Sequence, residues 1–223
     1  MIIRLADVLN QAQQDELKQF LATGQFEAGT LSAGWTARGV KQNEQWHADG
    51  EQMAALNDWL TARLAEHPEF AGATYAKYTA PFICSRSQNG GHYGDHIDDA
   101  LMGGEQITRS DISCTIFLSD PDEYEGGDLV MDFGGETLRF RLPAGHAIVY
   151  PSTTLHRVEP VTAGCRMVAV SWIESYVRDA GKREVLRDID QARRAIMDSE
   201  GKSAAFDKLC RSHANLLRMW AET

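Results

Sequence analysis

His96 and Asp98 stand two residues apart in the run Gly-His-Tyr-Gly-Asp-His-Ile-Asp-Asp that spans positions 91–99. In an extended strand successive side chains point to opposite faces, so an imidazole nitrogen and a carboxylate oxygen would project side by side. Together they make half of a metal site. Asp95 and Asp99 fall on the other face by the same count and are weaker candidates. His92 shares the parity of His96, but Gly94 between them marks a bend. A third ligand is expected at His156, delivered by the loop that ends the run AGHAIVYPSTTLH.

Ten residues beyond His156, Arg166 opens the run RMVAVSWI. By alternation Arg166, Val168, Val170 and Trp172 share one face. An arginine on a face with two valines is costly to bury without an anionic partner. Its planar fork suits a bidentate grip on a carboxylate. Two imidazoles and one carboxylate leave three metal positions open, the facial arrangement of non-haem Fe(II) oxygenases. A 2-oxo acid can fill two of them and dioxygen the third. A catalytic zinc accepts the same ligand types, so donor chemistry alone leaves that metal open. His-x-Asp by itself is a weak signal, and two histidines beside turns with a salt-bridged arginine is the plainer reading. The combined spacing is what favours a site.

The elements that must position these residues are β-rich. From about Thr74 short runs alternate with Gly, Asp and Pro: ATYAKYTAPFI, DISCTIFLSD, GDLVMDF, ETLRFRL, HAIVYPS and RMVAVSWI. This spacing predicts a sandwich or jelly roll. The Asp-Phe-Gly-Gly between GDLVM and ETLRF predicts a hairpin turn. Before this region Ile2, Ile3 and Leu5 predict a short strand, and Asn10 a helix cap, with Gly24 ending that helix. A Gly-rich segment with Trp35, Trp46 and His47 is expected to be irregular. A second helix is expected from about Gln52 to Glu66, with Met53, Leu56, Trp59, Leu60 and Leu64 on one face and Pro68 after its end. After Asp179 the texture is helical again. Val185, Leu186, Ile189, Ala192 and Ile196 form one stripe. Gly201 breaks it, and Phe206, Leu209, Cys210, His213, Leu216, Leu217 and Trp220 form another. Helices this short need a surface to dock on, either the β domain or a second copy in a homodimer. His213 on the apolar stripe is expected to be a packing residue, not a ligand. The expected fold is α+β with a mainly β core, a double-stranded β-helix. Residues 1–177 make the catalytic domain, its core about 75–175, and residues 178–223 the helical extension.

Bulk properties limit the partners. A net charge of −10 over 223 residues argues against nucleic-acid binding. No apolar run reaches the length of a membrane span, and the N-terminus lacks the apolar core of a signal peptide. Cys84, Cys114, Cys165 and Cys210 are dispersed without a Cys-x-x-Cys pair, which suits reduced thiols in a cytoplasmic protein.

At the site residues the sequence resembles a known family. Tyr93-Gly-Asp-His96-Ile-Asp98 is similar to the Tyr-x-x-His-x-Asp segment of prolyl and lysyl hydroxylases, which are Fe(II)/2-oxoglutarate dioxygenases. CTIFLSDPDEYEGGDLVM resembles that family's strand, turn and acidic loop. LPAGHAIVYPSTTLHRVEPVTAGCRMVAVSWI resembles its distal histidine and 2-oxoglutarate-binding segment. Arginine rather than lysine after the distal histidine, with a helical tail, looks like the bacterial PKHD-type hydroxylases. The resemblance implies that His96, Asp98 and His156 ligate Fe(II) and that Arg166 binds the distal carboxylate of 2-oxoglutarate. It places Tyr93 beside that cosubstrate, either as a hydrogen-bond donor or as packing. Gly126 and Gly127 would form a bend, and the acidic segment 120–125 would be a lid or a plain solvated loop. The implied reaction hydroxylates an unactivated C–H of a peptidyl prolyl- or lysyl-like residue or of a small molecule, releasing succinate and CO₂, with a reductant such as L-ascorbate restoring oxidised iron. A cupin-like metal protein is the first rival, but Glu105 lies too far from His96 for the cupin pattern and Arg166 has no role there. A non-catalytic sensor on the same fold is the second, and the full ligand set argues against it.

Overall fold

A computed structural model describes residues 1–29, 38–103 and 107–223. The chain opens with β1 (Ile3–Leu5), α1 (Gln11–Leu21), β2 (Gln25–Ala28), β3 (Lys41–Gln42), β4 (Glu44–His47), α2 (Gly50–Glu66) and α3 (Pro68–Thr74). The β region continues through β5 (Ala76–Thr79), β6 (Ile83–Ser87), β7 (His92–His96), β8 (Leu101–Met102), β9 (Thr108–Arg109), β10 (Ile112–Phe117), β11 (Tyr124–Gly126) and β12 (Leu129–Asp132). It closes with β13 (Thr137–Phe140), β14 (Ala147–Pro151), β15 (Leu155–Val158), β16 (Val161–Gly164) and β17 (Arg166–Ser175). The chain then ends in α4 (Ala180–Glu200) and α5 (Ala204–Trp220).

Two antiparallel sheets carry the core. The larger runs β1-β14-β10-β17-β6-β4-β2, with β5 also paired to β17, and the smaller runs β13-β12-β15-β7-β3. The larger sheet is buried on both faces, and side-chain alternation sorts its residues. Ile112, Cys114 and Ile116 of β10, and Ala169 and Ile173 of β17, pack toward Leu17, Leu56, Leu60, Leu64 and Phe70 of the helices. Phe117, Ile148, Tyr150 and Val168 point the other way and meet Leu129, Met131 and Phe140 of the smaller sheet. The site must therefore open between the sheets, at a place where this second core gives way to polar residues.

Local chemistry explains most element ends. The Asn10 side chain accepts from the Gln13 amide while Gln13 returns the bond, a reciprocal cap on α1. That helix ends at Ala22, not at Gly24. Gly24 is fixed by packing instead, since a β-carbon there would meet the Trp46 indole at 2.3 Å. The segment expected to be irregular contributes β2 and β3, which edge the larger and the smaller sheet, and β4, which pairs β2 to β6, whereas Trp35 lies outside the described residues. Pro68 does not merely follow α2 but begins α3, at a position where a missing N–H is tolerated. The Asp132-Phe133-Gly134-Gly135 turn joins β12 to β13, with both glycines in the left-handed region. The two tail helices dock within the chain. Helix α4 packs on α3 and α5, and the Tyr75 hydroxyl lies 2.9 Å from His213 Nε2. Leu186 is buried there, but Val185 of the expected stripe is exposed. Among the described residues no helix is long and apolar enough to cross a membrane.

Candidate metal centre

The pairing of β7 with β15 places His96 directly opposite His156. Asp98 lies just past the end of β7, where the chain has left the ladder. The alternation still holds: Ile97 is 53% exposed, while the side chains of His96 and Asp98 turn inward. One donor atom from each of His96, Asp98 and His156 lies within 4.8 Å of the others. The carboxylate approaches His96 Nε2 at 4.0 Å with Oδ1 and His156 Nε2 at 4.0 Å with Oδ2. These gaps suit a cation placed among the three.

The tautomers follow from the backbone. His96 Nδ1 lies 2.8 Å from the Gly94 carbonyl oxygen, and His156 Nδ1 lies 2.9 Å from that of Thr154. A carbonyl oxygen only accepts, so each Nδ1 carries a proton, and in the neutral ring this leaves the lone pair on Nε2. Burial, with the neighbouring His156, pushes His96 down to about 4, so it stays neutral at ordinary pH. The Tyr93 ring stacks on His96 at 3.6 Å between centroids. Tyr150, buried, meets His156 edge-on at 5.3 Å. Burial raises the Tyr93 phenol to about 12 and Tyr150 well above its usual value, so both are neutral.

These groups line a cavity of about 400 Å³ between the sheets. Arg166, Val168, Val170 and Trp172 all line it, as alternation along β17 predicts. Arg166 is 3% exposed and its Nε has no hydrogen-bond partner. Its guanidinium lies 5.6 Å from the centre of the Phe117 ring, and burial holds its pKa below the usual arginine value. A desolvated cation aimed into a cavity with an unanswered donor calls for an anion. Gly126 and Gly127 form the expected bend, both with positive φ. At Gly127 a β-carbon would fall 3.0 Å from Arg166 Cδ, so the bend also makes room for the guanidinium. In the acidic segment Asp120 accepts from the Ala144 amide and Tyr124 is buried in β11, which pairs with β16.

The other histidines are accounted for separately. His67 Nδ1 caps α3 by accepting from the Glu69 amide, while His146 faces Asp7 at 3.5 Å. His92 contacts the Gly90 carbonyl and His213 contacts Tyr75. His47 is exposed at the end of β4. Asp99 is exposed at the cavity rim, and Asp95 pairs with Arg157. Cavity residues that were not foreseen include Lys41, Tyr150 and Ser113. The Lys41 ammonium sits 5.1 Å from the centre of the Tyr93 ring, with its pKa lowered to about 8 by burial. For Ser113 a signal existed: in ISCTIF the polar residues Ser113 and Thr115 alternate along a wholly buried strand, marking its cavity face.

Residues 82–174 match the family model of the 2OG-Fe(II) oxygenase superfamily, and residues 180–222 match that of the PKHD-type hydroxylase C-terminal domain. A PKHD-type hydroxylase of Colwellia psychrerythraea is 51% identical over 223 residues, covering 100% of both chains. One from Acaryochloris marina is 44% identical over 222 residues, again covering 100% of each. Among solved structures, an oxidoreductase of the 2OG-Fe(II) oxygenase family from Burkholderia pseudomallei superposes with a TM-score of 0.56 at 18% identity, covering 80% of this chain and 85% of its own. A prolyl hydroxylase from Trichoplax adhaerens, bound to a hypoxia inducible factor peptide, gives 0.55 at 14% identity, covering 83% and 86%. These likenesses show the fold, the double-stranded β-helix expected from the strand texture.

Proposed function

Because the chain belongs to the PKHD-type hydroxylases of the 2OG-Fe(II) oxygenase superfamily, and is thus a 2-oxoglutarate-dependent oxygenase, we propose that His96, Asp98 and His156 hold its iron and that Arg166 holds its cosubstrate. The observation that carries this is the convergence of those three donors and the buried guanidinium on one cavity. Two neutral imidazoles and one carboxylate answer the metal with a single negative charge and leave room for further ligands. Iron in such a site lets dioxygen oxidise 2-oxoglutarate to succinate and CO₂ while one oxygen atom enters a substrate C–H bond.

The protein's own part is placement. The Gly94 and Thr154 carbonyls fix the two imidazoles with Nε2 inward. Arg166 pairs with the far carboxylate of 2-oxoglutarate and sets its direction in the cavity. Tyr93, stacked on His96, holds that ring's plane and walls the cosubstrate. Leu129, Val168 and Val170 keep the inner wall apolar, which strengthens each charge interaction there. The substrate is a peptidyl prolyl- or lysyl-like residue or a small molecule, L-ascorbate is the reductant that recovers oxidised iron, and the enzyme works in the cytoplasm. Residues 1–177 act as the catalytic unit and residues 178–223 as its helical buttress.

Anaerobic addition of Fe(II) and 2-oxoglutarate to the purified protein is the direct test. A weak visible charge-transfer band should form, and Arg166→Ala should weaken it. Absence of the band in the wild-type protein would remove the assignment. Screening peptides and small molecules for stimulated succinate release then identifies the substrate.

A further inference from the structure

We propose that Ser113, itself oriented by Ser152, is a positioning residue that fixes how Asp98 presents its carboxylate to the metal. The inference rests on the metal-centre assignment above and extends it to two hydroxyls across the cavity, one on β10 and one in the turn that follows β14. Ser113 Oγ lies 2.5 Å from Asp98 Oδ2, and Ser152 Oγ lies 2.8 Å from Ser113 Oγ. Both serines are 3% exposed. A serine hydroxyl has one proton to give. An ionised carboxylate only accepts, so the Ser113 proton goes to Asp98 and Ser113 in turn accepts from Ser152. The direction of the whole chain is thereby set: Ser152 to Ser113 to Asp98. Each bond polarises the next, which strengthens the last one. Ser152 is held by its own amide, which donates to the Asp111 carbonyl at 3.3 Å.

The consequence is a division of labour between the carboxylate oxygens. Oδ2 has its electron density engaged by Ser113, while Oδ1 remains the better donor. Asp98 lies beyond the β7 ladder, so no sheet hydrogen bond fixes its backbone as one fixes His96 and His156. Ser113 sits at the register position opposite Trp172 and Tyr150 on β10, inside the larger sheet. The hydroxyl thus ties the least constrained ligand to the most constrained strand. It favours attachment through one oxygen, so that a coordination position is kept for the cosubstrate or dioxygen. This is an outer-shell role of the kind that usually changes metal affinity by about 10- to 100-fold.

The test uses Co(II) as a spectroscopic probe of the full-length protein. The dissociation constant and the visible absorption spectrum are measured for wild type, Ser113→Ala, Ser113→Thr, Ser152→Ala and His156→Ala. Metal-free melting temperatures report folding separately. Ser113→Ala should weaken Co(II) binding by about 10- to 100-fold and change the spectrum. Ser113→Thr, which keeps the hydroxyl, should restore most of the affinity and the wild-type spectrum. Ser152→Ala should move both readouts the same way but less. An unchanged constant and spectrum in Ser113→Ala overturns the proposal, as does a Ser113→Thr protein as weak as the alanine variant. His156→Ala separates the levels of the argument. If it loses Co(II) while Ser113→Ala does not, the metal centre stands and Ser113 has no part in it. If it binds Co(II) like wild type, the centre itself is misassigned and the proposal falls with it.

Discussion

Arg166→Met removes a buried charge while keeping much of the side chain's length, and it should move stability and cosubstrate affinity in opposite directions. Without 2-oxoglutarate the guanidinium is 3% exposed and its Nε has no hydrogen-bond partner. A buried unsatisfied polar group costs about 1–3 kcal/mol. The Phe117 ring at 5.6 Å offsets part of this. Removing the charge should therefore raise the melting temperature of the ligand-free protein. At roughly 2–4 °C per kcal/mol for a domain of this size, the rise is a few degrees. With 2-oxoglutarate the sign reverses. The cosubstrate's far carboxylate would then enter a desolvated pocket with no cation to meet it. Breaking one side of a buried ion pair costs about 3–5 kcal/mol, which is on the order of 10²- to 10⁴-fold in affinity. Thermal melting with Mn(II), with and without 2-oxoglutarate, reads both effects. Wild type should gain stability from the ligand and the variant should not. A variant that still responds to 2-oxoglutarate at wild-type concentrations would refute the assignment of Arg166. One that melts below wild type without ligand would refute the argument that the buried Nε and the desolvated charge cost stability in the free protein.

Three further outcomes follow from the same geometry. His156→Ala should abolish 2-oxoglutarate turnover while circular dichroism and melting stay near wild type; retained succinate release would show that the third ligand lies elsewhere. Gly127→Ala places a β-carbon at φ +67, 2.8 Å from Val161 Cγ2 and 3.0 Å from Arg166 Cδ. It should cost about 1–2 kcal/mol of stability and weaken 2-oxoglutarate binding, and an unchanged affinity would mean that the bend does not set the arginine's place. Lys41 has a folded-state pKa lowered to about 8 by burial, so the unfolded chain binds more protons between there and its ordinary 10.5. The stability of wild type relative to Lys41→Met should therefore rise with pH across that window, by up to about 3 kcal/mol, and a flat difference in denaturant midpoints would contradict it.

The parts of this site that could be read from sequence are those set by strand alternation. Arg166, Val168, Val170 and Trp172 face one cavity because a strand has a period of two, whatever the fold around it. The inward turn of His96 and Asp98 about an exposed Ile97 follows the same rule, even though the ladder stops at His96. What could not be read depends on which strands become neighbours. Lys41 reaches the cavity only because β3, two residues long, pairs with β7 at Tyr93. No periodicity exists in two residues. Tyr150 was visible as a strand residue but not as a neighbour of His156, which lies across the gap between the sheets. Helix α3 was hidden because its first residue, Pro68, also serves as a stop signal for α2.

The two sheets contribute to the metal centre in different ways, and this difference bears on how the site assembles. Each imidazole is held by the carbonyl two residues before it, Gly94 for His96 and Thr154 for His156. His92 makes the same contact to Gly90 at 3.0 Å yet stands outside the cluster, so this lock is a local property of the strand and does not by itself mark a ligand. What sets the proposed ligands His96 and His156 apart is their register: they face each other across β7 and β15, and a slip of one residue would turn an imidazole to the outer face. Asp98 and the guanidinium of Arg166 answer to the other sheet, through Ser113 on β10 and through β17 itself. The smaller sheet alone can thus present two imidazoles with Nδ1 tied back to the strand and Nε2 inward. The carboxylate and the cosubstrate cation reach their places only when the larger sheet closes over them. Tight metal binding is accordingly expected to appear late in folding, after the sheets have packed, and not with the long-range pairing of β7 and β15 alone.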